Sequence, residues 1–169
     1  MAPAKRGFPP VVDARTRVLV LGSLPGEASL AVAQYYGNPR NAFWRLMEGV
    51  IDAPLVPLAY EDRLATLLAH GVGLWDVIQQ AERPGSLDAA IRNPAANDLV
   101  ALIETLPALR LVAFNGGTAA KLGARLVGDR IATIALPSSS PAHASRSFAD
   151  KAEAWSALDP FVSGSAASS

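Results

Sequence analysis

The sequence predicts an α/β fold, a three-layer α/β/α sandwich around a central four-stranded parallel sheet. Three observations predict it. Four short β-prone apolar runs recur along the chain, a helical pattern follows each of the first three and separates it from the next, and 169 residues at 50% apolar and 18% charged suit one well-cored domain. Strands alternating with helices imply right-handed crossovers and therefore parallel pairing between helical layers.

Each element has its own signal. Residues 1–16 mix Pro, Gly, Lys and Arg with no sustained period, which reads as an arm laid on the domain. Residues 17–22 hold Val18, Leu19, Val20 and Leu21, a continuous run suited to a first strand covered on both faces. Residues 72–78, 109–114 and 131–136 are the other expected strands. Phe43, Leu46, Met47 and Val50 fall at helical spacing, with a helix expected from Ala42. Leu64, Leu67 and Leu68 repeat that stripe behind Glu61 and Asp62, and Gly71 marks its stop. Asp98 is the expected cap ahead of Leu99, Leu102 and Ile103, Thr118 the cap ahead of Ala119, Leu122 and Leu126, and Ser147 with Asp150 opens a last helix over residues 148–158. Residues 1–161 are read as one domain and residues 162–169, rich in Ser, Ala and Gly, as a disordered tail.

Composition removes several chemistries. No cysteine is present, so disulfides, thiolate zinc, cysteine-held iron–sulfur clusters and a cysteine nucleophile are excluded. With His70 and His143 as the only imidazoles, no metal and no cofactor is expected. Fifteen basic residues balance fifteen acidic ones, so affinity for nucleic acid has to come from local clustering of charge. No apolar run approaches the roughly 20 residues of a membrane span and no signal peptide opens the chain, so a cytoplasmic location is expected; the chain is separately taken as a monomer.

In a sheet of this kind ligands bind beyond the carboxyl ends of the strands. The first strand is followed by Gly22, Ser23, Leu24, Pro25 and Gly26, which match neither a P-loop nor a GxGxxG turn. Then comes Tyr35-Tyr36-Gly37-Asn38-Pro39-Arg40-Asn41, where aromatic faces suit a base, amides a base edge or a water, and Arg40 a phosphate. The plainer alternative makes the tyrosines core and Asn41 a helix cap. The fourth strand leads into Pro137-Ser138-Ser139-Ser140-Pro141, a stiff polar loop suited to phosphate contacts or to a plain exposed turn, and the third into Asn115, Gly116 and Gly117. Asp76, inside the apolar second strand, has to be hydrogen-bonded or functional, because burying a carboxylate unpaired costs several kcal/mol. Arg83 and Arg92 read as solvated, and no GxSxG accompanies the histidines to make a Ser–His hydrolase.

Together these blocks resemble the uracil-DNA glycosylase superfamily, and within it the hypoxanthine-DNA (deoxyinosine) glycosylases, relatives of the mismatch-specific uracil enzymes. The resemblance rests on GFPPVVDARTRVLVLGSLPG at residues 7–26, QYYGNPRNAFW at 34–44, GLWDVI at 73–78, FNGGTAAKL at 114–122 and LPSSSPAHA at 136–144. It implies a monofunctional enzyme of base excision repair that extrudes deoxyinosine from DNA and hydrolyses its glycosidic bond. Leu24 stands where mismatch-specific relatives carry a water-positioning asparagine, and Leu136 where other uracil-excising relatives have a histidine, so the resemblance passes the catalytic role to Asn41. It implies stacking of the base at Tyr36, and contacts near base and sugar from Gly22, Ser23 and Gly26, with Asp76 and Asn115 as further base-binding candidates. Arg40, Ser138, Ser139 and Ser140 would hold flanking DNA. Uracil as the substrate, or a binding domain that lost the chemistry, are the competing readings.

Overall fold

The computed structural model describes residues 4–82, 91–141 and 146–162. Four parallel strands form the main sheet: β2 (Val18–Gly22), β3 (Val72–Asp76), β6 (Leu111–Asn115) and β7 (Ala132–Leu136), in the order β3-β2-β6-β7. Their registers set Leu21 beside Trp75 and Phe114, and Asn115 beside Leu136, so the strand ends that bear polar residues lie side by side.

The continuous apolar runs are explained by burial on both faces. Val18, Val20, Val72, Leu74, Leu111 and Ala113 face one core with Phe43, Met47, Leu67 and Trp155. Leu19, Leu21, Val112 and Phe114 face the other with Leu99, Ala119 and Val127. Helices α2 (Phe43–Ile51), α3 (Tyr60–Ala69) and α6 (Phe148–Trp155) therefore cover one face, and α4 (Leu99–Glu104) and α5 (Gly117–Val127) the other. Each fully buried aliphatic side chain contributes roughly 1.5–3 kcal/mol. Gly123 lets α5 approach the sheet closely, since a Cβ there would clash with the Phe114 ring.

Helix ends follow local chemistry in most places. Asp98 accepts from the Ala101 amide at 3.0 Å, Ser147 accepts from the Asp150 amide at 3.1 Å, and Gly71 leaves α3 at φ +82°. Thr118, expected to cap α5, instead lies in its first turn, and Gly116 at φ +101° occupies the cap position. The helix expected over 148–158 is α6 followed by a 3-10 turn at Ser156–Phe161. Val162, assigned to the tail, is buried in the core beyond that turn.

Three features were not legible. The run at 72–78 is two strands: β3 ends at Asp76, and β4 (Ile78–Glu82) enters a separate antiparallel sheet between β1 (Ala4–Arg6) and β5 (Arg92–Ala96). The break falls where β2 runs out, with the Val77 and Ile78 amides donating to the Gly22 and Ser23 carbonyls at 2.8 and 3.0 Å. The amino-terminal arm does lie on the domain, but residues 4–6 pair as a strand and Val11 bridges to Leu74. A short helix α1 (Glu27–Val32) also stands between the first strand and the aromatic loop. No helix among the described residues is long and apolar enough to cross a membrane.

Candidate active site

A cleft of about 650 Å³ opens at the carboxyl ends of the parallel strands. Its floor begins where β2 stops. A Cβ on Gly22 would lie 2.7 Å from Asp76 Oδ1 and 3.3 Å from the Tyr36 hydroxyl, so only a missing side chain leaves these groups facing one space. Asp76 is buried and its backbone carbonyl accepts from Asn97 Nδ2 at 2.8 Å, which ties the end of β3 to the segment ahead of α4. Ser23 and Gly26 line the same floor.

Asn115, buried at the end of β6, organises the opposite side. Its Nδ2 donates to Ser139 Oγ at 2.9 Å and to the Tyr36 hydroxyl at 3.3 Å, and its Oδ1 accepts from the Ser139 amide at 2.9 Å. The Ser139 carbonyl accepts from the Ala42 amide at 3.0 Å. Buried polar groups satisfied in this way fix one arrangement of the surrounding loops. Ser139 is thus a buried brace for the loops as well as part of the cleft lining. Gly116 permits the close approach of the serine loop, because at φ +101° its absent Cβ would sit 3.2 Å from Ser138 Cβ. Ser138 and Ser140 stay half-buried at the cleft, joined by a 3.1 Å bond from the Ser140 amide to Ser138 Oγ.

The third wall is residues 34–42. Tyr35 belongs to the core, its hydroxyl donating to the Pro9 carbonyl at 2.8 Å, as the plainer alternative held. Tyr36, at φ +54°, turns its ring onto Phe43 with centroids 3.9 Å apart and lines the cleft. Burial first, then the negative charge of Asp76, hold both hydroxyls protonated well above the ordinary tyrosine range. Asn38 closes a turn by accepting from the Arg40 amide through Oδ1 and from the Asn41 amide through its carbonyl, both at 2.9 Å. Asn41 Oδ1 accepts from the Phe43 amide at 2.9 Å, so the residue braces the start of α2 and lines the cleft at once. Arg40 is exposed at the rim.

Every candidate drawn from the strand-end argument therefore meets in one cleft. Sequence reasoning passed over Ser29, whose Oγ accepts from the Gly37 amide at 2.8 Å, because α1 carries no strong helical signal. Asn38 stood in the quoted motif without a role. His143 and Arg83 lie outside the described residues, and Arg92 falls in β5. Among the described residues no three His, Asp or Glu side chains gather as metal ligands.

The Uracil DNA glycosylase superfamily model matches residues 9–159. The chain belongs to this superfamily. It is 45% identical over 155 residues to a protein of Methanosarcina acetivorans named hypoxanthine DNA glycosylase, covering 91% of this chain and 97% of the relative. A protein of the same name from Methanosarcina barkeri is 45% identical over 112 residues, 66% of this chain and 71% of that one. A solution NMR structure from M. acetivorans, provisionally described there as a uracil DNA glycosylase, superposes with a TM-score of 0.83 at 43% identity, covering 93% of this chain and 97% of that one. Within this glycosylase fold Leu24 is an apolar wedge, buried against Ile78 and Ala81, with no polar atom to hold a water.

Proposed function

We propose that this DNA glycosylase hydrolyses the N-glycosidic bond of deoxyinosine in DNA, releasing hypoxanthine and leaving an abasic site in an uncut strand. The observation that carries this reading is the cleft itself: Asn41, Tyr36 and the Gly22 floor converge in a chain 45% identical, along nearly its whole length, to a hypoxanthine DNA glycosylase.

Breaking the bond gives an oxocarbenium-like sugar and a base that leaves with the bonding electron pair, so placed dipoles and a placed water supply most of the help. A water oxygen bonds to the anomeric carbon as the carbon–nitrogen bond breaks, and the water's proton ends on the departing base. Asn41 Oδ1 holds one lone pair on the Phe43 amide, which fixes the side chain, and offers the second to a hydrogen of the attacking water. Tyr36, backed by Phe43, presents its remaining ring face to the extruded base. The first-turn amides of α5 open into the same cleft and favour the negative charge that develops on the leaving base. Ser138, Ser140 and Arg40 sit at the rim, where flanking phosphates would pass. A monomeric, cytoplasmic enzyme acting on deaminated bases in DNA goes with this reading.

The test is a single-turnover assay on duplexes carrying one deoxyinosine, deoxyuridine or deoxyxanthosine, with alkali cleavage of the abasic product. Deoxyinosine should be processed fastest. Faster release of uracil would shift the substrate, and no release of any base would leave a binding domain.

A further inference from the structure

The chain is electrically neutral overall, yet one strip beside the cleft is not. Residues 38–48 and 146–151, on α2 and α6 and the turns leading into them, hold four cations, Arg40, Arg45, Arg146 and Lys151, against two carboxylates, Glu48 and Asp150. Glu48 is turned away, its Oε2 accepting from the Leu55 and Val56 amides at 2.8 Å. Arg40, Arg45 and Arg146 are exposed and, among the described residues, none has an ion-pair partner.

Among the described residues two arginines lie over aromatic rings, and they differ. The Arg63 guanidinium, 5.2 Å from the Trp44 ring, donates to the Leu58 and Val56 carbonyls and is part of the packing. The Arg45 guanidinium lies 4.6 Å from the Phe148 ring, and that ring is itself 42% exposed. A ring holds a guanidinium by its face. It restrains a long flexible side chain without using an N–H donor or neutralising the charge, as a carboxylate would. Arg45 sits in the first turn of the helix that Asn41 introduces, and Phe148 opens the helix that follows the serine loop, so the pair spans both segments bordering the mouth.

We propose that the Arg45–Phe148 pair, flanked by Arg40 and Arg146, is a preorganised phosphate anchor for the DNA strand next to the extruded nucleotide. This rests on the glycosylase reading for its ligand and supplies the local charge that a neutral protein needs to hold DNA.

The experiment is equilibrium binding of the full chain to a short undamaged duplex across a series of NaCl concentrations. Arg45→Ala should weaken binding about tenfold at the lowest salt and flatten the log–log salt slope by about 0.9, the loss of one phosphate contact. Phe148→Ala keeps every charge, so affinity should fall several-fold with the slope unchanged. Arg125→Ala, an exposed control in the last turn of α5, should alter neither. A wild-type slope in Arg45→Ala, wild-type affinity in Phe148→Ala, or an equal loss in Arg125→Ala overturns the anchor. Excision by the unaltered protein separates the two ideas: binding through the strip without release of hypoxanthine sinks the glycosylase reading alone, and release with Arg45 immaterial sinks the anchor alone.

Discussion

The cleft has two asparagines of the same chemistry in opposite circumstances. Asn115 is buried, and both ends of its amide are bonded to protein, to Ser139 and to Tyr36. Asn41 is half-buried and lines the cleft, and among the described residues its side chain takes one bond, from the Phe43 amide. The difference separates scaffold from chemistry. A side chain whose donors and acceptors are already matched inside the protein fixes loops, while one held by a single bond is both oriented and available to a water.

The largest effect should follow from altering the available amide. Asn41→Asp keeps the oxygen that accepts from Phe43 but exchanges the Nδ2 donor for a second acceptor and adds a negative charge that opposes the charge developing on the leaving base, so the excision rate should fall by about 10²–10⁴-fold, while the melting temperature stays close to that of the native protein. Asn41→Ala should lose the rate similarly and also the brace on α2, about 1 kcal/mol, seen as a melting point lower by about 2–4 °C. Normal turnover by either variant in a single-turnover assay removes Asn41 from the chemistry.

The scaffold asparagine should behave in the reverse way. Asn115→Ala leaves the buried Ser139 amide without its acceptor, a penalty of about 1–3 kcal/mol, while excision falls by at most about 10²-fold through misplacement of the loops. Because Ser139→Ala removes part of the same network, the two penalties should not add in a double-mutant cycle followed by urea unfolding. Simple additivity would mean that the wall is not one unit, and a rate loss in Asn115→Ala as deep as that of Asn41→Asp would erase the distinction between the two residues.

That distinction could not be read from the chain, although much else could. Strand ends were legible because runs such as residues 18–21 are buried on both faces and have no polar alternation to confuse them. Residue type and order then carried the glycines, serines and asparagines to those ends. What sequence order lacks is the direction of a side chain. Ser138, Ser139 and Ser140 are the same residue three times, and only the fold turns the middle one inward to Asn115. Tyr35 and Tyr36 are likewise neighbours, one core and one cleft, because the positive φ at Tyr36 reverses the chain there. The split at Val77 depends on β2 ending at Gly22, opposite Asp76, a tertiary event with no local signature. The Arg45–Phe148 contact joins residues about a hundred positions apart, beyond any pattern in the sequence.

The smallest effect concerns the two tyrosines, and it tests how dry the scaffold side of the cleft is. In the folded protein burial, reinforced by the charge of Asp76, keeps the Tyr35 and Tyr36 hydroxyls protonated above their ordinary value of 10. In the unfolded chain both ionise near that value. Between pH 10 and the higher folded values the native state therefore binds more protons, and stability falls as pH rises. Each such tyrosine contributes a slope of at most about 1.4 kcal/mol per pH unit, and below pH 10 its contribution is level. Urea midpoints measured at pH 8, 10 and 11 should show this downturn, and Tyr36→Phe should soften it while leaving Asn115 its bonds to Ser139 and costing about 1 kcal/mol or less near neutrality. If Tyr36→Phe leaves the alkaline downturn as steep as before, water reaches the Tyr36 hydroxyl freely. Asn115 would then stand in surroundings no drier than those of Asn41, and burial could not be what divides their roles.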